Sequence, residues 1–264
     1  LLAALVPTGL PLAGRLILRH TANRLHKRSA HGGLLSFGEP HASARPILAQ
    51  ALRVNVAAGI AETIIVLASL VAFEKWHLAP AISWQQIVAV DLLALSLPVT
   101  ALSFDHKLSR PLHSARKRLL DRATVASLAG FSMVVGALTY LNYLFFFVRH
   151  SLDAAYLDPA LPLYREATTL SVATLTLCLL VYILFDRAHK HDKFFSFALL
   201  ENSRLLQALG ISVLLLLVAV YVSPLQHVLD TAALSVTDWV SALFVTLLYA
   251  SFRLLQRHTR KHTR

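Results

Sequence analysis

The stretch from Ser83 to Phe104, SWQQIVAVDLLALSLPVTALSF, is long and apolar enough to cross a bilayer, yet it carries two residues that such a helix rarely tolerates. Asp91 lies near its middle, and a carboxylate at membrane depth costs at least ~2.5 kcal/mol on insertion scales. Pro98 removes a backbone hydrogen bond and leaves carbonyl groups that a neighbour must satisfy. The stretch therefore predicts a helix with a polar, partly irregular centre, packed inside a bundle of membrane helices.

The composition favours a membrane protein over a soluble one. Hydrophobic residues make up 56% of the 264 residues and charged residues only 15%, whereas soluble domains carry roughly 25% charged residues. The formal net charge of +11 would suggest nucleic-acid binding in a soluble protein, but cytoplasmic loops rich in Lys and Arg explain it in a membrane protein. We therefore predict no nucleic-acid partner. The single Cys178 excludes disulfides and cysteine-based metal sites.

Apolar runs separated by polar or basic segments divide the chain into seven predicted membrane spans. They cover residues 1–18, 49–73, 83–104, 123–148, 166–185, 205–222 and 236–255. The segment from Gly32 to Pro46 is rich in glycine and proline and predicts a linker, and residues 223–235 predict a loop. The predicted fold is all-α, a polytopic membrane bundle of about seven transmembrane helices.

The Lys and Arg residues follow the positive-inside rule if the first span exits into the cytoplasm. Only Lys75, Arg149 and Arg165 then fall outside, and the other 22 of the 25 Lys and Arg lie in cytoplasmic segments and adjoining helix ends. This pattern predicts a multi-pass protein of the cell membrane with a cytoplasmic C terminus. The lipid bilayer is its first predicted partner, and basic clusters are expected to contact anionic headgroups.

The segment from Leu5 to Arg28, LVPTGLPLAGRLILRHTANRLHKR, contains a helix break at Pro7, Gly9 and Pro11 and a basic exit. On the residues alone, the break fits either an irregular fragment end or an unwound helix lining a cavity. The segment resembles the fourth membrane helix of P-type cation-transporting ATPases, which has a Pro-Glu-Gly-Leu-Pro break. SLPVTALSFDHKLSRPLHSARKRL and ENSRLLQALGISVLLLLVAVYVSPLQHVLDTAALSVTDW resemble later membrane segments of the calcium and sodium pump branch. The resemblance implies a membrane helix at 1–28, a linker at 29–46 and a six-helix transport domain at 47–264.

The cytoplasmic domains of that family have no counterpart in these residues. In the family, several hundred residues that carry phosphorylation and nucleotide binding separate the fourth and fifth membrane helices, where this chain has residues 29–46. No Asp is followed by Lys-Thr-Gly, and the sequence contains neither Gly-Asp-Gly nor Thr-Gly-Glu. The resemblance therefore predicts no catalytic residues, no cofactor and no ATPase activity for this chain on its own.

The resemblance also aligns the chain with the cation-binding positions of the family, where most ligands are replaced. The replacing residues are Thr8, Gly59, Ala94, Leu95 and Leu177. Glu62 and Asp91 keep oxygen atoms and are the candidate cation ligands, expected to face each other across adjacent helices. With carbonyls freed near Pro7 and Pro98, they fit a monovalent ion or a proton better than Ca²⁺, which takes six to eight oxygens. The alternative is a protonated or mutually hydrogen-bonded pair that packs the bundle.

The thirteen histidines do not predict a metal site. Most lie in basic loops and tails, and a cationic neighbour such as Lys190, between His189 and His191, disfavours metal binding. We therefore predict that these histidines face water or lipid headgroups.

Two functional classes remain open. The first is a non-catalytic relative of a pump, a pseudo-pump or partner-dependent component that binds or regulates another transporter chain. The second is a split or truncated subunit of an active cation pump that provides part of the ion pathway. The missing phosphorylation and nucleotide-binding domains and the reduced set of cation ligands favour the first class.

Overall fold

The computed structural model describes residues 41–91, 96–101, 122–150, 161–188 and 203–262. Regular structure in these ranges is entirely helical, so the all-α prediction is confirmed. The helices are α1 His41–Trp76, α2 Trp84–Ala89, α3 Ser96–Ala101, α4 Arg122–Arg149, α5 Pro162–Ala188, α6 Ser203–Tyr221, α7 Ser223–Leu229 and α8 Val236–His262. The predicted break at Pro7, Gly9 and Pro11 lies outside the described residues.

Four of the described helices are long and apolar enough to cross a membrane: α1, α4, α5 and α8. A fifth span results if α6 and α7, which bend by 89° at Val222, are counted as one. The described residues thus give four or five spans and do not confirm seven. The first predicted span lies outside them, and the stretch 83–104 is described only in part, with the short helices α2 and α3 on either side of residues 92–95.

Helix α5 lies at the centre of the bundle. The buried share of its apolar stretch is 83%, against 33–44% for α1, α4 and α8. α4 and α8 pack against it, and α4 also packs extensively against α1. The largest fully buried side chains are Ile65, Tyr143, Phe146, Leu170, Leu175, Leu179, Ile183 and Tyr249.

The contact between α1 and α4 depends on a close backbone approach at Gly136. A Cβ atom at this glycine would lie 2.9 Å from the Ala61 carbonyl oxygen and 3.0 Å from the Ile64 Cβ. Small residues at helix interfaces allow this approach in membranes, where packing rather than water exclusion drives association. Ala61 and Gly136 thereby bring α4 against the face of α1 next to Glu62.

The chain turns sharply between α6 and α7. The sequence predicted a loop from 223 to 235, and this is wrong for Ser223–Leu229, which is helical. Pro224 fits the first turn of a helix, because backbone N–H groups there have no intrahelical partner. Val222 has an extended backbone, so the new helix starts in another direction, and α7 ends at Asp230, which has a left-handed backbone (φ 53°, ψ 46°).

Two long helices extend beyond their predicted spans. α1 begins at His41, inside the segment predicted as a linker, and α8 continues to His262 through the basic tail. Hydropathy marks only the part of a helix that meets lipid, and helical geometry can continue into polar flanking residues.

Candidate cation site

An interrupted helix positions Asp91. Helix α2 begins with a reciprocal cap, in which Ser83 Oγ accepts from the Gln86 N–H at 3.3 Å and Gln86 Oε1 accepts from the Ser83 N–H at 3.0 Å. After Ala89 the chain forms a π-helical turn at Val90 and Asp91, and such turns are frequent at functional sites. Asp91 therefore lies at the end of regular helix, beside backbone that departs from the α-helical ladder.

Pro98 lies in the same predicted span, beyond residues 92–95. It is buried and is the third residue of α3 as the structure describes that helix, Ser96–Ala101.

Both candidate carboxyl groups lie in the bundle interior. Glu62 on α1 and Asp91 after α2 are each 1% exposed. Glu62 Oε1 is buried and has no hydrogen-bond partner among the described residues. A carboxylate buried in a low dielectric requires either a positive partner or a proton, so each of these side chains is suited to one or the other.

Polar groups near this level of the bundle mostly bond within their own helices. Asn55 Nδ2 donates to the Ala51 carbonyl at 2.9 Å, and Thr63 Oγ1 donates to the Gly59 carbonyl at 2.6 Å. An exception joins α4 to α5, where Asn142 Nδ2 donates to Thr174 Oγ1 at 2.8 Å. The Gly59 carbonyl, at a position where the family has a side-chain ligand, is thus already occupied by Thr63.

Gln86 holds α2, and with it Asp91, in place. This fully buried side chain donates through Nε2 to Thr168 Oγ1 at 3.0 Å and to the Asp230 carbonyl at 2.8 Å. It therefore ties α2 both to α5 and to the segment after α7. Gln86 was not among the predicted site residues. The signal for it was an amide inside an apolar stretch, because polar side chains at membrane depth usually bond to partners within the bundle.

A cavity of about 20 Å³ lies beside the π-helical turn, between α2, α5, α6 and α7. Its lining is mostly apolar and includes Val90, Gln86 and Thr176. The volume has room for a single water molecule. The Thr176 hydroxyl in this lining is buried and has no partner among the described residues.

The remaining candidate positions divide between described and undescribed parts of the chain. Leu177 on α5 packs against the core and offers no oxygen ligand. Thr8, Ala94 and Leu95 lie outside the described residues, as do His189 and His191. Within the described ranges, no group of three or more His, Cys, Asp or Glu side chains could hold a metal ion.

Comparisons with known proteins match most of this chain to one family. The family described as "Cation transporting ATPase, C-terminus" matches residues 79–257, which include Asp91 and Pro98. The Calcium-transporting ATPase of Bacillus subtilis (strain 168) is 26% identical over 193 residues, which is 72% of this chain and 20% of that relative. The chain therefore spans about a fifth of the relative's length. Because the family match begins after Glu62, only Asp91 of the two candidate ligands lies within the matched residues.

Proposed function

This chain belongs to the cation-transporting ATPase C-terminal family, and we propose that it is a membrane component of cation transport with no ATP-hydrolysing motor of its own. It is a multi-pass helical membrane protein related to the transport part of P-type pumps. The observation that carries the proposal is the burial of two carboxyl groups, Glu62 and Asp91, in the bundle interior, with Asp91 in a π-helical turn. In this proposal the chain works with a partner transporter, as a pseudo-pump or partner-dependent component.

The proposed site takes a monovalent cation or a proton. Two carboxyl groups and nearby backbone carbonyls supply too few oxygens for Ca²⁺, which takes six to eight. A single positive charge between the carboxyl groups offsets most of the cost of burying them. The reduced ligand set, with Leu177 and Leu95 at two former ligand positions, supports weak binding and a supporting role.

Cation binding is tested by the thermal stability of the purified chain in detergent. A ligand that binds only the folded state stabilises it by RT ln(1 + [L]/Kd), about 2.7 kcal/mol at a concentration of 100 Kd. We expect the unfolding midpoint of the wild-type chain to rise with Na⁺ or K⁺, or with acidification if the ligand is a proton. Glu62→Gln and Asp91→Asn should each lose most of this rise.

The matched control is Asp230→Asn, which removes a carboxylate whose side chain is 41% exposed and lies outside the bundle interior. Its ligand-dependent rise should equal that of the wild type. If Glu62→Gln and Asp91→Asn keep the full rise, the two carboxyl groups do not form the site.

The absence of a motor is tested in liposomes that contain the purified chain alone. ATP hydrolysis should stay at the level of protein-free liposomes across the cations used above. Cation-stimulated hydrolysis by the chain without a partner would falsify this part of the proposal.

The alternative is a split or truncated subunit of an active pump. The retained carboxyl pair and the interrupted helix favour it, since a purely structural domain needs neither. It predicts that the chain copurifies with a protein carrying a phosphorylation domain, and that the complex hydrolyses ATP in a way that Glu62→Gln abolishes. The non-catalytic role is supported if the chain changes the ATP hydrolysis rate of a partner pump and Glu62→Gln leaves that effect unchanged.

A further inference from the structure

Helix α7 turns away from the direction of the membrane spans at the point where α6 ends. α6 has 19 residues and is about 28 Å long, close to the ~30 Å hydrocarbon core of a bilayer. It is therefore long enough to reach across the membrane without α7. The bend of 89° between the two helices then directs α7 along the membrane plane.

Hydrogen bonds hold α7 at the level of the last turn of α6. Gln226 Nε2, from the middle of α7, donates to the Val220 carbonyl at 2.6 Å, and Thr231 Oγ1, just after α7, donates to the Ala219 carbonyl at 2.6 Å. Arg165 in the first turn of α5 donates to the Gln226 carbonyl at 3.0 Å. α7 thus stays level with the end of one span and the start of another.

A hydrogen-bonded pair of aromatic side chains lies at the same level. Trp239 in the first turn of α8 donates through Nε1 to the Tyr221 hydroxyl at 2.8 Å, and this hydroxyl donates to the Leu234 carbonyl at 2.9 Å. Tyr221 is the last residue of α6 and is 51% exposed. Tyrosine and tryptophan are enriched where the hydrocarbon layer meets water. The residues next to α7 therefore mark this level as a membrane interface.

The exposed surface of α7 is divided into an apolar and a polar edge. Residues four apart lie on the same side of a helix. Pro224 and Val228, which we call the apolar edge, are both exposed, Val228 by 69%. Ser223 and His227, the polar edge, are also exposed. The remaining side packs against α6 and α2, so the two edges are what α7 presents to its surroundings.

We propose that α7 is an interfacial helix whose apolar edge enters the lipid acyl chains just below the headgroups, while its polar edge faces the headgroups and water. Amphipathic helices lie in this way, with the apolar face buried by about 5–10 Å. Lipid is the occupant because the spans on which α7 rests are surrounded by lipid at this level. Two apolar side chains also form a surface far smaller than the ~800 Å² per partner of a stable protein interface. The surface is separate from the candidate cation site and does not depend on it.

The test attaches a bimane fluorophore to single introduced cysteines in the full chain, reconstituted into phosphatidylcholine liposomes. Brominated phosphatidylcholine, with bromines either close to the headgroup or near the chain end, quenches from the lipid, and iodide quenches from water. A Val228→Cys label should lose more fluorescence to the shallow bromines than to the deep ones. A Leu247→Cys label, at an exposed position in the middle of the apolar stretch of α8, should show the reverse order.

The matched control is His227→Cys, the neighbouring position on the polar edge. Its label should lose more fluorescence to iodide, and less to brominated lipid, than the Val228→Cys label. A Pro224→Cys label is the second reporter of the apolar edge and should repeat the Val228→Cys pattern. The wild-type chain treated with the same reagent gives the background from Cys178, and circular dichroism checks the helix content of each variant.

Three results would overturn the proposal. Quenching of the Val228→Cys and His227→Cys labels by iodide alone would place α7 in water. Stronger quenching of the Val228→Cys label by the deep bromines would make α7 a re-entrant segment. Resistance of the Val228→Cys and Pro224→Cys labels to both kinds of quencher would mean that another protein chain covers the apolar edge.

Discussion

Gly136 sets the distance between the two helices that pack most extensively in this bundle. The carbonyl of Ala61 and the side chain of Ile64 occupy the space that a larger residue at 136 would need. Both flank Glu62 on α1. A change at Gly136 therefore reaches the candidate cation site through the backbone of α1, without any contact between the two side chains being required.

Gly136→Ala should destabilise the chain, because its Cβ would lie 2.9 Å from a backbone oxygen that cannot move alone. Overpacking of this kind costs about 1–3 kcal/mol, and the expected readout is a lower unfolding midpoint in detergent. Gly130→Ala, on the same helix with nothing within 4 Å of the new Cβ, is the control. It should be neutral or slightly stabilising, since alanine favours helix over glycine. Equal effects of the two variants would contradict the close-contact explanation.

Among the elements, the connection from α6 to α8 is contacted at three residues by one side chain of α5. Arg165 donates to the Gln226 carbonyl at 3.0 Å and the Thr231 carbonyl at 3.1 Å, and its Nε lies 2.9 Å from Asp230 Oδ1. Gln86 adds a bond to the Asp230 carbonyl. The ion pair is partly exposed, 29% and 41% for the two side chains, so the backbone carbonyl bonds are expected to contribute more.

Arg165→Gln should therefore cost more than Asp230→Asn. The first change removes a donor from the Gln226 and Thr231 carbonyls, although the Gln226 carbonyl keeps the Thr231 N–H, and should cost about 1–3 kcal/mol. The second removes only a solvent-screened charge, at about 0–1 kcal/mol, and asparagine tolerates the left-handed backbone of position 230. Unfolding midpoints and protease cleavage between α7 and α8 measure the difference. Equal losses would show that the ion pair, and not the carbonyl bonds, holds the connection.

The sequence predicted the long helices well and the short ones poorly. Spans 123–148 and 236–255 correspond to α4 and α8, because an apolar stretch in lipid must satisfy its backbone within itself. The sequence did not predict α7, because a helix of seven residues with a proline in its first turn is too short to show a helical period of apolar residues. Glu62 and Asp91 were singled out as candidates because charges at membrane depth are conspicuous. Gln86 was not, because its partners lie far along the chain, 82 and 144 residues away.

On the scale of the whole molecule, one end of the bundle gathers its connecting segments. Tyr143 of α4 donates to the Ala79 carbonyl, Tyr164 of α5 to the Pro80 carbonyl, and Arg149 of α4 to the Thr237 carbonyl. The segment after α1 and the first turn of α8 therefore lie against the same end. This end carries the residues that the positive-inside rule placed outside, which fits a cytoplasmic C terminus as a prediction.

This orientation is measurable with single cysteines, because the native Cys178 is fully buried. Ser151→Cys should react with a membrane-impermeant maleimide in intact cells. Thr263→Cys should react only after the membrane is permeabilised. The wild-type chain provides the background from Cys178, and the opposite labelling pattern would reverse the predicted orientation.

Two of the hydrogen bonds at this end have a helix tyrosine as donor and a backbone carbonyl of a connecting segment as acceptor. Every residue type offers the same carbonyl, whatever its side chain. Substitutions at Ala79 or Pro80 therefore leave these acceptors in place, whereas substitutions at Tyr143 or Tyr164 remove the donor. The connecting segments are free to drift during evolution while the helices that hold them are constrained. Distant homologues should accordingly be traced by their helical donors and not by the sequence of their loops.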